Sequence, residues 1–415
     1  MKKTLAIAGI AIVSAIAWAA PDADEAYSQL ADRYLDEIAV FSPVTATALG
    51  DHRADDRLDE VDGAARERKR DAFLEYREAL AAIDRDELLR ANEVDAAILE
   101  NRIESTLFDL DALQEWAWNP LYYVRLAGNS VYGLLSRDFA PLEERLANVA
   151  SRLAQFPRFL EQARESLQPE RVPKIHAETA IQQNRGLVTI IDSMVVPLME
   201  EQSPETRELL AAAIDSARAA IAEHQAWLEE ELLPRANGDF RVGAELYDRK
   251  LAFALNSSLS RREIRTLAES EYELVRNEMY EIAKQVYVGL HPYTAFPDNP
   301  DEAYKQAIIR AALEEAYRQL PQRDEIVAIA RQYLQQASDF VVEKNIVTMP
   351  EEPVEIIVMP EFQRGVALAY LSPPGPLDKG QKAFYAVAPL PSDWTDAQVE
   401  SFLPAGSVDN VRLDG

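Results

Sequence analysis

Over residues 22 to about 345, apolar side chains recur three and four positions apart, the spacing that lines one face of an α-helix. Leu142, Leu146, Val149, Leu153, Phe156, Leu160 and Ala163 form one such stripe. Leu210, Ile214, Ala217, Ile221, Leu228 and Leu232 form another. Start signals punctuate the pattern. Ser260-Arg261-Arg262-Glu263 reads as a capping box, in which serine and glutamate each satisfy the other's backbone N–H. Asn299-Pro300-Asp301-Glu302 predicts a cap with proline at the first helical position, and Ser203-Pro204-Glu205 opens another helix in the same way. About ten helices follow from these signals, with no fixed repeat of the kind that builds a solenoid.

The period changes near Pro350. Val354-Glu355-Ile356-Ile357-Val358 is rich in β-branched residues and is stopped by Pro360, which predicts a short strand. Residues 365–371 and 382–388 predict two more, separated by the turn-forming Ser372-Pro373-Pro374-Gly375-Pro376. Thr395-Asp396-Ala397-Gln398 is a further capping box, opening a helix through Val399, Phe402 and Leu403 that Pro404 and Gly406 cut short. The expected organisation is therefore a helical region over residues 20–349 and a small three-stranded sheet with the start of a helix over 350–403. A tail without fixed structure is expected over 404–415. Residues 1–19 stand apart: Lys2 and Lys3 precede an apolar stretch that ends in Ala17-Trp18-Ala19, the pattern of a cleaved secretory signal peptide. The expected location is the periplasm or the cell exterior, with no membrane association after cleavage.

Composition narrows the chemistry. The chain has 415 residues, 71 Asp plus Glu against 43 Lys plus Arg, and a net charge of -28, which argues against nucleic acid and anionic lipid as partners. It contains no cysteine, so disulfides, thiol catalysis and Cys-based zinc sites are excluded. His52, His176, His224 and His291 are its four histidines, and none sits in a His-Glu-x-x-His pattern that would put two ligands on one helix face. His224 reads as a histidine at the edge of an apolar stripe, His52 as part of a polar loop and His291 as a helix end. No Gly-x-Ser-x-Gly elbow and no phosphate-cradling glycine loop occurs. The acidic runs read as solvated helix faces. The cluster Trp116-Ala117-Trp118-Asn119-Pro120-Leu121-Tyr122-Tyr123 reads as core packing, with the lining of a cleft as the alternative.

Three segments resemble the domain of unknown function 885 family. Ser42-Pro43-Val44-Thr45-Ala46-Thr47-Ala48-Leu49-Gly50-Asp51-His52-Arg53 is similar to its opening, and Gly238-Asp239-Phe240-Arg241-Val242-Gly243-Ala244-Glu245-Leu246-Tyr247 to its central signature. Residues 365–388, with Tyr370, Ser372-Pro373-Pro374 and Phe384-Tyr385, followed by Trp394 and Val399-Glu400-Ser401-Phe402-Leu403, resemble the approach to its active-site helix. The resemblance implies a mainly α, multi-helix zincin-like architecture with a small sheet near the C-terminus, and secreted relatives that look like zinc metallopeptidases. Their His-Glu-x-x-x-Gly-His motif is expected on the helix after Leu403, where this sequence carries neither His nor Glu. The expectation is thus the N-terminal and central part of such a protein, truncated before the zinc motif, inactive by itself and without a cofactor of its own. Tyr370, Phe384, Tyr385, Arg241 and Tyr247 lie in the matching segments and are the candidates for lining a cleft that takes a peptide or small-molecule substrate. The contrasting expectation is a noncatalytic acidic helical protein that binds a peptide or partner.

Overall fold

The computed structural model describes residues 22–318, 324–350, 352–391, 394–395 and 398–399. The signal-peptide reading of residues 1–19 and the tail reading of residues 404–415 fall outside them. The chain is mainly α with one three-stranded sheet near its C-terminal end, as the periodicity predicts. A first group of helices comprises α1 (Ala23–Phe41), α2 (Pro43–Leu49), α3 (Gly63–Ala81), α4 (Arg90–Phe108) and α5 (Glu115–Trp118). The central body comprises α6 (Pro120–Leu135), α7 (Leu142–Ala154), α8 (Phe156–Ser166), α9 (Lys174–Ile190), α10 (Val196–Met199), α11 (Pro204–Trp227) and α12 (Leu233–Arg235). Four outer helices follow: α13 (Ala244–Leu255), α14 (Arg261–Leu290), α15 (Glu302–Tyr317) and α16 (Ile326–Lys344).

The two apolar stripes become the central core. Leu146, Val149 and Leu153 on α7 meet Leu210, Ile214, Ala217 and Ile221 on α11, with Val124, Ala127 and Val131 of α6 beneath them. The first stripe is one face but two helices. It breaks at Gln155 because Pro157, which has no amide proton, is tolerated only in the first turn of a new helix. The described residues also include three π-helical turns, Asp109–Leu113, Ile191–Val195 and Leu228–Leu232, which periodicity alone does not reveal. The caps form at Ser203, Ser260 and Thr395 as predicted. At α15 the cap moves. The Asp301 carboxylate accepts the Tyr304 amide at 2.8 Å, so Pro300 precedes the cap instead of opening the helix.

The sheet has the order β1-β3-β2, with β1 (Val354–Val358) parallel to β3 (Ala383–Val387) and β2 (Ala369–Ser372) antiparallel to it. The first strand has its predicted bounds. The second starts later than residue 365, because Glu361–Gln363 forms a 3-10 turn and Gly365 adopts φ +88°, outside the strand region. That 3-10 turn fastens the sheet to the body. Phe362 is fully buried between α6 and α9, and it fits because two helix positions facing it are glycines. A Cβ at Gly128 would lie 2.1 Å from the Phe362 ring, and one at Gly186 would lie 2.6 Å from its backbone nitrogen. On the opposite side, α16 packs against β1 and β3.

Candidate functional site beneath the sheet

A cavity of about 390 Å³ lies between the sheet and the helical body. Its floor is α6, which presents Tyr122, Arg125, Asn129 and Tyr132 at helical spacing, and its near wall is α2 with the His52 turn. Its roof is β2 and the loop after it, through Tyr370, Ser372, Pro373, Gly375 and Asp378. Strand geometry explains which side chains reach it. Tyr370 and Ser372 are two residues apart and share a face. Their cross-strand partners Ala386 and Phe384 share that face as well, while Tyr385 pairs with Leu371 and lies on the opposite one.

The roof is held by polar contacts that span the sequence. The Tyr370 hydroxyl bonds Gln363 Oε1, and Gln363 Nε2 donates to Asn129 Oδ1 at 3.1 Å. Burial, with Tyr132 alongside, pushes the Tyr370 hydroxyl up to about 12, so it stays protonated as a donor. Arg137 donates to the carbonyl oxygens of Ser372 and Pro373, both at 3.0 Å, and its guanidinium lies 4.9 Å from the Phe384 ring centroid. Arg125 lines the same space, is exposed and makes no ion pair among the described residues.

His52 closes the near wall. Its ring stacks on Phe139 at 3.7 Å, Nδ1 contacts Asp55 Oδ2 at 2.9 Å and Nε2 contacts Asp378 Oδ1 at 3.3 Å. Gly50, at φ +84°, lets the chain turn into this position. Leu377 N–H donates to Leu49 carbonyl oxygen at 3.0 Å beside it. Burial by itself would lower the imidazole pKa, but the bonds to Asp55 and Asp378 outweigh it, and the ring titrates above its ordinary 6.5. The tie from body to roof is therefore fully present below pH 6.5 and fades as pH rises through the raised folded value. Behind it, the Thr47 hydroxyl donates to Asp55, and Arg152, fully buried, donates to Thr47 Oγ1 at 2.6 Å and lies 3.7 Å from Asp55. Burial lowers Arg152 to about 10, which leaves it a cation facing the buried carboxylate.

Of the five candidates from the sequence, the structure brings Tyr370 into the cavity and sets Phe384 next to it through Arg137. Tyr385 lies on the far face. Arg241 stacks on its neighbour Phe240 at 4.2 Å and lies 3.6 Å from Asp239, and Tyr247 is exposed on α13, which packs on α4. Neither Arg241 nor Tyr247 joins the sheet in any described contact. Arg125, Asn129, Arg137 and Asp378 were not singled out from sequence. The three on α6 and just after it carry a helical spacing that hints at one face, whereas Asp378 meets His52 across 326 positions and leaves no local signal.

The zinc that the resemblance implies finds no fit among the described residues, where no three His, Asp or Glu side chains converge as ligands. His52 has both ring nitrogens engaged, His176 stacks on Trp118 at 5.8 Å, His291 lies 4.5 Å from the Tyr287 ring, and His224 is sealed in the core. Among the described residues no helix is long and apolar enough to cross a membrane.

No curated protein matches the sequence. Among solved structures, the chain is similar to a protein of unknown function from Shewanella oneidensis, provisionally classed as a lipoprotein. The match has 26% identity and a TM-score of 0.68, covering 91% of this chain and 67% of that one. The model of the family described as "Bacterial protein of unknown function (DUF885)" matches residues 43–410, from the start of α2 through the sheet that roofs the cavity. The chain belongs to this family.

Proposed function

We propose that this chain is an exported, metallopeptidase-like protein that holds its substrate at the sheet: an extended peptide lies along the edge of β2, over the cavity. The observation that carries the reading is the coincidence of an edge strand with a cavity under one of its faces. In the order β1-β3-β2, β2 has a neighbouring strand on one side only among the described residues. A peptide added to its other side would place every second side chain on the cavity face. The opposite edge suits a ligand less well, since α16 packs against β1 and Arg331 donates to the Ile356 carbonyl oxygen at 3.4 Å. Arg137 already occupies the Ser372 carbonyl, so the edge available for pairing is short, and affinity has to come mostly from side chains entering the cavity beside Arg125, Asn129 and Tyr370. The resemblance to zinc metallopeptidases supports the substrate class. The signal-peptide pattern of residues 1–19 and the provisional lipoprotein class of the Shewanella oneidensis protein support export to the periplasm or beyond.

The test is fluorescence anisotropy with extended peptides blocked at both ends. Saturable binding is expected, weakened at least ~10-fold when alternate peptide amides are N-methylated, because a methylated amide cannot pair with a strand edge. Arg125→Ala should weaken binding as well, without unfolding the chain, since Arg125 is exposed and holds no ion pair among the described residues. Absence of binding across a mixed-sequence library, or indifference to N-methylation, would refute the proposal.

A further inference from the structure

A second, larger cavity of about 720 Å³ lies on the other side of Tyr122, between α3, α4 and the segment that joins α2 to α3. Its charges are arranged unusually. Lys69 on α3 and Arg102 on α4 line it together with Asp109, at the start of the first π-helical turn, and Glu115 on α5. Elsewhere opposite charges in this chain close onto each other readily, as Arg70 does on Asp111 at 2.9 Å and Arg85 on Glu100 at 3.2 Å. Among the described residues, none of these four makes an ion pair, although the cavity is also lined by the buried Asp59 and by Glu60 paired with Arg68, and the Glu115 carboxylate accepts Asn119 Nδ2 at 2.6 Å. Lys69 Nζ donates to the Ser42 hydroxyl at 3.3 Å and lies 6.0 Å from the Phe73 ring centroid. Burial lowers the Lys69 ammonium, offset in part by Asp59 and Asp109, and burial raises the Asp109 carboxyl, with Glu115 adding to the rise. These groups feel one another across the cavity without touching. Lys69 and Glu115 are half-buried and Arg102 and Asp109 exposed, so all four remain open to a ligand that offers the opposite charge.

We propose that this cavity is a binding site for a small amphoteric molecule of the amino-acid or dipeptide class, its carboxylate on Lys69 and Arg102 and its ammonium on Asp109 and Glu115. The volume lies in the range of small-ligand pockets. The two cations come from adjacent helices and the two acids from the π turn and α5, so the anion-binding and cation-binding ends are set by different elements, with Tyr122 as an apolar wall between this site and the cleft beneath the sheet. The π turn widens the end of α4 and terminates at Gln114, φ +50°, so Asp109 and Trp116 both face the cavity. The inference does not rest on the peptide reading of the β2 edge. The free dipeptide fits here, whereas the end-blocked peptides that test the sheet lack both charges this site requires.

Isothermal titration calorimetry of the full chain with alanyl-phenylalanine, its N-acetyl form and its C-terminal amide tests it. The free dipeptide should bind, and each blocked form should bind at least ~10-fold more weakly. Lys69→Met should lose binding by a similar factor. Thr106→Trp, which fills the cavity and leaves all four charges in place, should do the same. Arg265→Gln, remote on α14, should bind like the parent. No heat with the free dipeptide, indifference to either blocking group, or undiminished binding in both cavity variants would overturn the proposal.

Discussion

The central body and the outer helices carry apolar stripes of similar strength but meet different fates. On α11, Ile221 is 2% exposed, and Leu210, Ile214 and Ala217 are buried with it. On α14, Leu267, Leu274, Val275, Ile282 and Val286 follow the same helical spacing, yet all are exposed, Ile282 to 63%. Of the thirty residues of α14 only Tyr280 and Ala283 are buried, in a small cluster with Ile308 and Ile309 of α15. Periodicity reports that a helix has an apolar face and is silent on what covers it. Folding free energy is therefore concentrated in the body, and the contrast can be broken by mutation.

The largest effect is expected from Phe159→Ala. Phe159 is fully buried on α8 and lies edge-on to Tyr123 at 6.3 Å. Truncation should cost about 3–5 kcal/mol in a urea titration, through lost transfer energy plus the cavity left behind. A loss below about 1 kcal/mol would mean that the body is loosely packed.

Acid should strike the same region. His224 on α11 is fully buried, and neither ring nitrogen has a hydrogen-bond partner among the described residues. Burial, helped by Arg164, lowers it to about 3 from an ordinary 6.5. The unfolded chain takes up that proton below pH 6.5 and the folded one does not, so stability falls as pH drops from 6.5 toward 3, by on the order of 4 kcal/mol in total. His224→Leu, close in volume, should flatten this acid limb and raise stability at neutral pH by about 1 kcal/mol. An unchanged slope of stability between pH 6.5 and 4 in the variant would show that the imidazole finds a partner or solvent.

A smaller effect is expected where the sheet meets the body. Gly186→Ala would push a methyl group into the backbone of Phe362, a clash that a side-chain rotation cannot relieve. A cost of about 1–3 kcal/mol is expected. Limited proteolysis should also show faster cleavage within residues 359–391, because the 3-10 turn that anchors the sheet is what gets displaced. Proteolysis at the parental rate would mean that the docking of β1 to β3 rests on α16 instead.

What the sequence discloses follows the range of the forces involved. Stripes, strand runs and capping boxes are local, and Val354–Val358 and Ser260 with Glu263 are found where the pattern puts them. The π turns are not legible, because a single extra residue leaves the apolar spacing almost intact, as between Leu228 and Leu232. The same-face relation of Tyr370 and Ser372 could be read from a period of two. That Phe384 joins them and Tyr385 does not depends on register, which no local signal sets here. His224 reads as a core-edge residue by its place beside the stripe, and is sealed because α7, α8 and α9 surround α11. The charges around the larger cavity carry no signal at all in a chain this acidic. Lys69 and Asp109 are forty positions apart on different elements, and only packing shows that they face each other without pairing.

The smallest effect closes the comparison. Ile282→Lys places a charge on the exposed stripe of α14, where the side chain has little contact to lose, and lysine is at least as good a helix former as isoleucine. The stability change in urea should lie within about 0.5 kcal/mol, an order of magnitude below that of Phe159→Ala. The variant should also bind less of a hydrophobic dye, because the patch through Leu274, Val275 and Ile282 is interrupted. The prediction needs the face to be open in solution. A cost of 2 kcal/mol or more would mean that something covers it, and the dependence of that cost on protein concentration would tell a second copy of the chain from a segment of the same one. A cost that grows with concentration points to a second copy, since association stabilises only the parent. A cost that does not vary points to cover from within the chain, and the contrast between α11 and α14 would then reflect an unseen partner segment and not a difference in folding.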